Sequence, residues 1–176
     1  MQSLPWSNAP WAIPAAIVAV SAASLAVALV SQYGFGLWPC ELCIWQRYPY
    51  AVAIALGVFG AIFATRPVLR RVSLALAALA FATGAGIAGF HVGVEQGWWV
   101  GLSGCAAGLE AGLSTQEVLA MLETRQQVVP CDEPAWTFAG ISMAGYNGLL
   151  SLALTAFAAW GARSPATADW SAGVKV

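Results

Sequence analysis

The sequence is poor in charged residues, and this scarcity excludes most classes of soluble protein. Only 9% of its 176 residues are Asp, Glu, Lys or Arg, whereas 60% are hydrophobic and the mean hydropathy is +0.73. Soluble domains are about a quarter charged and about half apolar. The chain also lacks a cluster of basic residues, and its net charge is −1, so we expect no nucleic-acid partner. Its length suits one domain, residues 1–176, in a lipid bilayer.

The sequence contains four long apolar runs that are almost free of charged residues. A helix crosses the hydrocarbon core with about 20 predominantly apolar residues, and runs of this kind cover residues 11–30, 48–64, 72–92 and 138–160. The pattern predicts an all-α membrane protein, a bundle of four transmembrane helices. The first run could instead be a cleaved signal peptide. No Lys or Arg precedes it, however, and it is longer than a usual signal core, so we expect it to remain as a span.

Cationic residues are divided unequally between the two sides that these spans define. Five of the seven are on the side of the chain termini, and two are on the other side. The five are Arg66, Arg70, Arg71, Arg163 and Lys175, and the two are Arg47 and Arg125. Because positive residues favour the cytoplasmic side, we expect both termini in the cytoplasm of a bacterial cell. The loops at 31–47 and 93–137 should then face the periplasm.

All four cysteines, Cys40, Cys43, Cys105 and Cys131, are in these two outer loops, on the side where disulfides persist in bacteria. The C-x-x-C spacing of the first two is typical of dithiol redox sites and of metal knuckles. Zinc would need a second close pair, and the sequence lacks one because 25 residues separate the other two cysteines. Purely structural disulfides are the main alternative. A bridge between Cys40 and Cys43 would close too small a loop to stabilise much.

The neighbours of this pair favour redox chemistry. Pro39 is a good first residue for the second helix, which would place Cys40 and Cys43 in its first turn. Partial positive charge at a helix N-terminus favours a thiolate, and Arg47 follows Cys43 by four residues, on the same helical face. Glu41 opposes thiolate formation, so the sequence leaves the balance open.

The single histidine, His91, ends the third span at about the depth of Arg47. A lone histidine at a membrane interface often has no function. Beside a dithiol and an arginine it becomes a candidate proton or hydrogen-bond partner.

The loop at 93–137 is too polar to span a membrane. Its stretch STQEVLAMLETRQQ has a capping box, Ser114 with Glu117, followed by apolar residues at helical spacing. This pattern predicts a short amphipathic helix, either on the membrane surface or packed on the protein itself. Three tryptophans are expected to anchor the chain at the interface: Trp98, Trp99 and Trp136.

The stretch GAGIAG, residues 84–89, matches the dinucleotide-binding pattern G-x-G-x-x-G. That motif needs a preceding strand and a βαβ unit. Here the glycines are inside a predicted span, where small residues let helices approach closely. We therefore expect them to serve helix packing.

Taken together, these features resemble the disulfide bond formation protein B (DsbB) family. The resemblance covers essentially the whole chain and rests on CELCIWQR at the second span, two cysteines in the loop before the fourth, and PCDEPAWTFAGISMAGYN leading into that last span. It implies an inner-membrane enzyme that reoxidises a periplasmic, DsbA-like thioredoxin-fold oxidase and passes two electrons to ubiquinone or menaquinone.

By the same resemblance, Cys40–Cys43 is the quinone-facing disulfide and Cys105–Cys131 is the partner-facing one. Further residues are implied at the quinone site: Arg47, His91 and Trp136.

Two other interpretations remain. A vitamin K epoxide reductase-like enzyme does similar chemistry, but in that family the loop cysteines precede the C-x-x-C pair, whereas here they follow it. A non-catalytic membrane protein with structural bridges or a metal knuckle would neither bind nor reduce quinone.

Overall fold

The computed structural model describes residues 9–102, Gln116 and 129–164. These residues form a bundle of long helices with one small hairpin. In chain order the elements are α1 (Ala12–Gly34), α2 (Glu41–Trp45), α3 (Arg47–Ile62), α4 (Pro67–Glu95), β1 (Thr137–Phe138), β2 (Ile141–Ser142) and α5 (Met143–Arg163).

Three helical segments are long and apolar enough to cross a membrane: Ala12–Gly34, Glu41–Ile62 and Pro67–Glu95. The second combines α2 and α3. Helix α5 has 21 residues but is not among the three, since glycines and polar side chains dilute its apolar residues. The predicted spans are therefore confirmed for three helices, and the fourth stays a prediction.

The outer faces of the bundle carry large apolar side chains. Val27 on α1 is 63% exposed, Leu79 on α4 is 64% exposed and Leu152 on α5 is 58% exposed. Extended apolar surface of this kind marks contact with lipid or with another protein. Helix α5 shares this property with α1 and α4, which favours a membrane environment for all of them.

The second helix begins two residues later than predicted. Its first residue is Glu41 rather than Pro39, and Cys40 is the N-cap. The prediction that Pro39 opens this helix was wrong, since that proline precedes the cap. As a result, the connection predicted at 31–47 shortens to 35–40.

The start of the last helix also differs from the prediction. Residues 137–142, which include the start of the predicted fourth run, form an antiparallel hairpin in which Phe138 pairs with Ile141. Its turn residues, Ala139 and Gly140, have positive φ values of 49° and 79°, as two-residue hairpin turns of the primed types require. Helix α5 begins only afterwards, at Met143.

Helix α4 is central to the bundle, because it packs against both α3 and α5, while α1 packs mainly on α3. The core between the helices is made of large apolar side chains and alanines. Its buried members are Ile17, Tyr50, Ala53, Leu74, Ala77, Ala78, Phe81, Leu154 and Ala158.

The glycines of GAGIAG serve packing only in part. A Cβ added at Gly84 would lie 3.2 Å from Cβ of Pro49, so this glycine permits the close approach of α4 to α3. The packing prediction is confirmed at this position. At Gly86 and Gly89 a Cβ would meet nothing within 4 Å, so the prediction was wrong there.

A second, smaller apolar cluster lies where α2 begins and α4 ends. It contains Cys40, Leu42, Val94 and Cys131, all buried. This cluster joins the C-x-x-C segment to the segment that precedes the hairpin. The fold thus brings distant cysteines to one place.

Candidate functional site

The C-x-x-C pair is adjacent to a cysteine from the other outer segment. Sγ of Cys40 is 2.9 Å from Sγ of Cys43, and both are free thiols. Cys131 is disulfide-bonded. Sγ of Cys40, Nε2 of His91 and Sγ of Cys131 all lie within 4.8 Å of one another. A dithiol and a disulfide therefore meet at Cys40.

This spacing would also suit a metal ion, since zinc takes thiolate and imidazole ligands at about 2.0–2.3 Å. A sulfur already in a disulfide is not such a thiolate, and Cys131 is in that state. The arrangement fits thiol–disulfide exchange better, because exchange requires one thiolate close to one disulfide sulfur.

Two predictions fall outside the described residues. One is the pairing of Cys105 with Cys131, because Cys105 lies in the undescribed part of the loop. The other is the amphipathic helix with its capping box, Ser114 and Glu117, in the same part. Both stay predictions.

The environment of Cys40 favours its thiolate. The hydrogen bond from the Cys43 thiol is the largest cause that lowers the pKa of Cys40, from 9.0 to about 5. Burial opposes this shift, while the hydrogen bond and charge of His91 and the backbone N–H of Cys43, 3.3 Å from Sγ, support it. The sequence left open whether the helix N-terminus or Glu41 has the larger effect on the thiol pKa. In the structure the pKa of Cys40 is lowered, so its thiolate is favoured.

His91 is buried behind Cys40. Its Nε2 is 3.6 Å from Sγ of Cys40, and its Nδ1 is 2.8 Å from the side-chain nitrogen of Gln46. The carboxylate of Glu95, one helical turn further along α4, is 3.9 Å from Nε2. The predicted neighbourhood with the dithiol is therefore present, but His91 is not among the residues that line the adjacent cavity.

That cavity has a volume of about 440 Å³ and is lined by α1, α2, α3, α5 and the segments before α2 and before the hairpin. Three of the predicted site residues line it: Cys43, Arg47 and Trp136. Cavities of several hundred Å³ with mostly apolar walls and a few polar groups commonly bind small organic molecules. The free thiol of Cys43 thus borders a site large enough for a small organic molecule.

Two of these lining side chains are held by neighbours. Nη1 of Arg47 donates a hydrogen bond of 2.7 Å to the side-chain oxygen of Gln32 on α1. The ring of Trp136 stacks on Tyr146, with 5.8 Å between ring centroids and 30° between planes. A fixed cation and a fixed aromatic wall therefore border the cavity.

Sequence reasoning missed a set of polar residues behind the cavity. Gln46, Tyr50 and Ser151 are at least 94% buried, and Asn147 is half-buried among them. The available signal was the occurrence of polar side chains inside otherwise apolar helices, which usually has a functional reason.

The family model described as Disulfide bond formation protein DsbB matches residues 11–161. An uncharacterized protein of Rickettsia prowazekii is 29% identical over 143 residues, 80% of this chain and 81% of that protein.

Two further relatives carry the name Disulfide bond formation protein B. The one from Herminiimonas arsenicoxydans is 45% identical over 80 residues, 46% of this chain and 49% of the relative. The one from Azoarcus sp. is 29% identical over 165 residues, 91% of this chain and 95% of the relative. No solved structure matches the chain significantly.

Proposed function

The chain belongs to the Disulfide bond formation protein DsbB family, and from this premise we propose that it reoxidises a thioredoxin-fold dithiol oxidase and passes two electrons to membrane quinone. Family membership and three membrane-capable helices make it a membrane protein of disulfide bond formation. One observation carries the proposal: Cys43 borders the cavity while Cys40 adjoins Cys131. The dithiol thus has room for an electron acceptor on one side and a protein disulfide on the other.

The cavity fits the head group of a quinone. Its volume of about 440 Å³ is within the usual range for a bound small molecule. Apolar residues of α1 form one wall, and Arg47 and Asn147 offer hydrogen-bond donors for a ring oxygen. Ubiquinone and menaquinone both meet these requirements. A quinone bound there supplies the acceptor for two electrons and two protons.

In the proposed mechanism, electrons enter through the loop cysteines. A thiolate of the partner attacks Cys105 of a Cys105–Cys131 disulfide, and Cys131 leaves as a thiolate. Cys131 then attacks Cys40 of the oxidised Cys40–Cys43 pair, so that a Cys40–Cys131 disulfide forms and Cys43 leaves as a thiolate beside the cavity.

The second half of the transfer restores the loop disulfide. The partner's other thiol closes its own disulfide and frees Cys105, which attacks Cys131 and releases Cys40. The products are an oxidised partner and a Cys40–Cys43 dithiol that holds two electrons.

The low pKa of Cys40 favours its release in that step. A thiol of lower pKa leaves faster in exchange, and the pKa of Cys40 is about 5. Arg47, fixed by Gln32 at the cavity wall, would hold a ring oxygen with its planar guanidinium and stabilise negative charge that develops there.

The proposal also includes an orientation. The five-to-two division of cationic residues favours cytoplasmic termini and a fourth span formed by α5. All four cysteines would then face the periplasm of a bacterial inner membrane, where a soluble, DsbA-like partner can reach the loop.

The proposal is tested by following quinone absorbance under anaerobic conditions, with purified protein, a reduced thioredoxin-fold oxidase and each quinone in turn. We expect quinone loss that requires the partner and that Cys43→Ser abolishes. Quinone that stays oxidised with every partner and every quinone would favour the non-catalytic interpretation.

The route of entry is tested by trapping. Replacing Cys131 with Ala leaves Cys105 as a free thiol, which should attack the disulfide of the oxidised partner and stay linked to one of its sulfurs, because the thiol that competes for Cys105 is gone. Peptide mapping that places the adduct on Cys40 or Cys43 instead would reverse the roles of the two pairs.

A further inference from the structure

A continuous series of hydrogen bonds runs from the bundle core to Cys40. Ser151 Oγ and Tyr50 Oη are 3.0 Å apart, and Tyr50 Oη donates to Asn147 Oδ1 at 2.6 Å. Asn147 Nδ2 donates to Gln46 Oε1 at 2.5 Å, and Gln46 Nε2 lies 2.8 Å from His91 Nδ1. Four of these residues are on α3, α4 and α5. The fifth, Gln46, is the single residue between α2 and α3.

The positions of the amide oxygens and nitrogens give the series one direction. A tyrosine hydroxyl has one proton, and that of Tyr50 goes to Asn147, so Ser151 is the donor to Tyr50. The oxygen of Asn147 is then occupied, and its NH₂ group faces Gln46. The oxygen of Gln46 is occupied in turn, which leaves its NH₂ group facing His91.

An amide NH₂ group donates and cannot accept, so Nδ1 of His91 must be the acceptor. In a neutral imidazole the other nitrogen then carries the proton. That nitrogen, Nε2, faces Sγ of Cys40 at 3.6 Å.

We propose that Asn147 and Gln46 are positioning residues that hold His91 as its Nε2–H tautomer, with the N–H directed at Sγ of Cys40. Asn147 makes no hydrogen bond to Cys40, Cys43 or His91; its side-chain hydrogen bonds are with Tyr50 and Gln46. It acts by fixing which end of the Gln46 amide faces the ring. The series thereby presents a donor to the thiolate from a fixed direction.

The consequence concerns Cys40 as a leaving group, and this part rests on the proposed function. A donor on Sγ stabilises the thiolate, which favours release of Cys40 from the Cys40–Cys131 disulfide. The ionisable groups around Cys40 belong to its own helical segment, to α4 and to the segment before the hairpin: Glu41, Cys43, Arg47, His91, Glu95, Asp132 and Glu133. Of these, His91 is the group that the series orients.

The tautomer can be measured directly, because His91 is the only histidine in the chain. Protein labelled with ¹⁵N-histidine and purified through a tag without histidine gives ring nitrogen signals from this residue alone. At a pH where the ring is neutral, we expect a protonated Nε2 and an unprotonated Nδ1. Asn147→Leu and Gln46→Leu should shift the population toward a mixture of tautomers. Thr155→Val is the matched control, since its hydroxyl bonds only to a carbonyl of its own helix.

A second readout follows the dithiol. Thiolate absorbance, taken as the difference from Cys40→Ser, reports the lower ionisation of the Cys40–Cys43 pair. Asn147→Leu should raise its midpoint by about half to one pH unit, which corresponds to roughly a three- to tenfold loss of thiolate stabilisation. In a His91→Ala background, Asn147→Leu should add nothing further.

Protonated Nδ1 in the wild-type protein, or an unchanged tautomer in Asn147→Leu, would overturn the inference. So would an equal effect of Asn147→Leu with and without His91. None of these measurements uses quinone or the partner. A failed tautomer prediction is therefore distinguishable from a failed proposed function, which only the quinone measurement addresses.

Discussion

Sγ of Cys40 and Nε2 of His91 are 3.6 Å apart and buried, although 51 residues separate them in the chain. The contact joins the start of α2 to the last turns of α4. It places the only histidine of the chain on the thiol that adjoins Cys131, rather than on the cavity. The dithiol is therefore asymmetric: Cys40 has the imidazole and the disulfide, and Cys43 has the cavity.

Because Cys40 lies close to Cys131, we predict that the two can form a disulfide with each other. When Cys43 is replaced with Ser and Cys105 with Ala, Cys40 and Cys131 are the remaining thiols, and mild oxidation should join them within one molecule. Peptide mass spectrometry after digestion identifies the bond. Intermolecular dimers in place of the internal bond would contradict the proposed exchange between the two pairs.

The hydrogen bond from Cys43 predicts how the ionisation of Cys40 responds to mutation. Because the folded-state pKa of Cys40 is lowered from 9.0 to about 5, its stabilising contribution is complete above pH 9 and is lost as the pH falls toward 5. Cys43→Ala removes the largest cause and should raise the midpoint of thiolate absorbance. Cys43→Ser keeps a hydroxyl donor and should raise it less. A midpoint in Cys43→Ala equal to that of the wild-type protein would show that the Cys43 hydrogen bond does not set the pKa.

Arg47 is predicted to act on quinone through its charge and its planar shape. Charge-assisted hydrogen bonds contribute about 1.5–3 kcal/mol, and each 1.4 kcal/mol is roughly tenfold. Arg47→Ala should therefore weaken quinone affinity or turnover by roughly ten- to a hundredfold, measured as the quinone KM and kcat in detergent. Arg47→Lys should be intermediate, since it keeps the charge and loses the fork.

The same experiment separates this role from simple anchoring to lipid. Exchange with the partner should survive in Arg47→Ala, because the loop cysteines are unchanged. Gln32→Leu, which frees the guanidinium without removing it, should have a smaller effect. Unchanged quinone kinetics in Arg47→Ala would leave only an anchoring role.

The orientation predicts which exposed positions a membrane-impermeant thiol reagent can reach. Val100 follows α4 and is 90% exposed, while Val68 is in the first turn of α4 and is 68% exposed. In a variant without native cysteines, Val100→Cys should be labelled in intact bacterial spheroplasts. Val68→Cys should be labelled only after the membrane is opened. The reverse pattern would overturn the orientation.

Arg70 is predicted to stabilise the fold rather than to mark the cytoplasmic side alone. It is 2% exposed and donates hydrogen bonds to the backbone oxygens of Gly161 and Ser164 at 3.4 and 3.0 Å, where α5 ends. Arg70→Met should lower the free energy of unfolding by about 1–3 kcal/mol, measured by thermal or denaturant unfolding in detergent. Arg71→Met is the control, because Arg71 is exposed and should change stability little.

The features that could be predicted from the sequence depend on local pattern. Apolar runs of sufficient length give helices whatever their neighbours are, which explains why three membrane-capable helices were found correctly. The grouping of Cys43, Arg47 and Trp136 on one cavity followed from family resemblance and helical spacing. Helix ends were less accurate, because the hairpin turn at Ala139 and Gly140 has no strong sequence signal in an apolar stretch.

The features that could not be predicted depend on contacts between distant segments. Gln46 and Asn147 are 101 residues apart, and each by itself is one polar residue in an apolar helix. Their pairing requires the packing of α3 and α5 against α4. The side of the dithiol that His91 occupies follows from the same packing. The sequence could therefore place the histidine beside the dithiol and the arginine, but not on Cys40 rather than Cys43.

The most direct test of the account compares the electrons that leave the partner with those that reach quinone. Reduced thioredoxin-fold oxidase, in several-fold excess over the protein, is mixed anaerobically with the protein and a known amount of quinone. Quinone loss is followed by absorbance, and partner disulfide is measured by acid quenching and thiol labelling. The account predicts one quinone reduced for each partner disulfide formed. When quinone is absent, it predicts no more partner disulfides than the protein's own disulfides can supply. Continued oxidation of the partner without loss of quinone would contradict it.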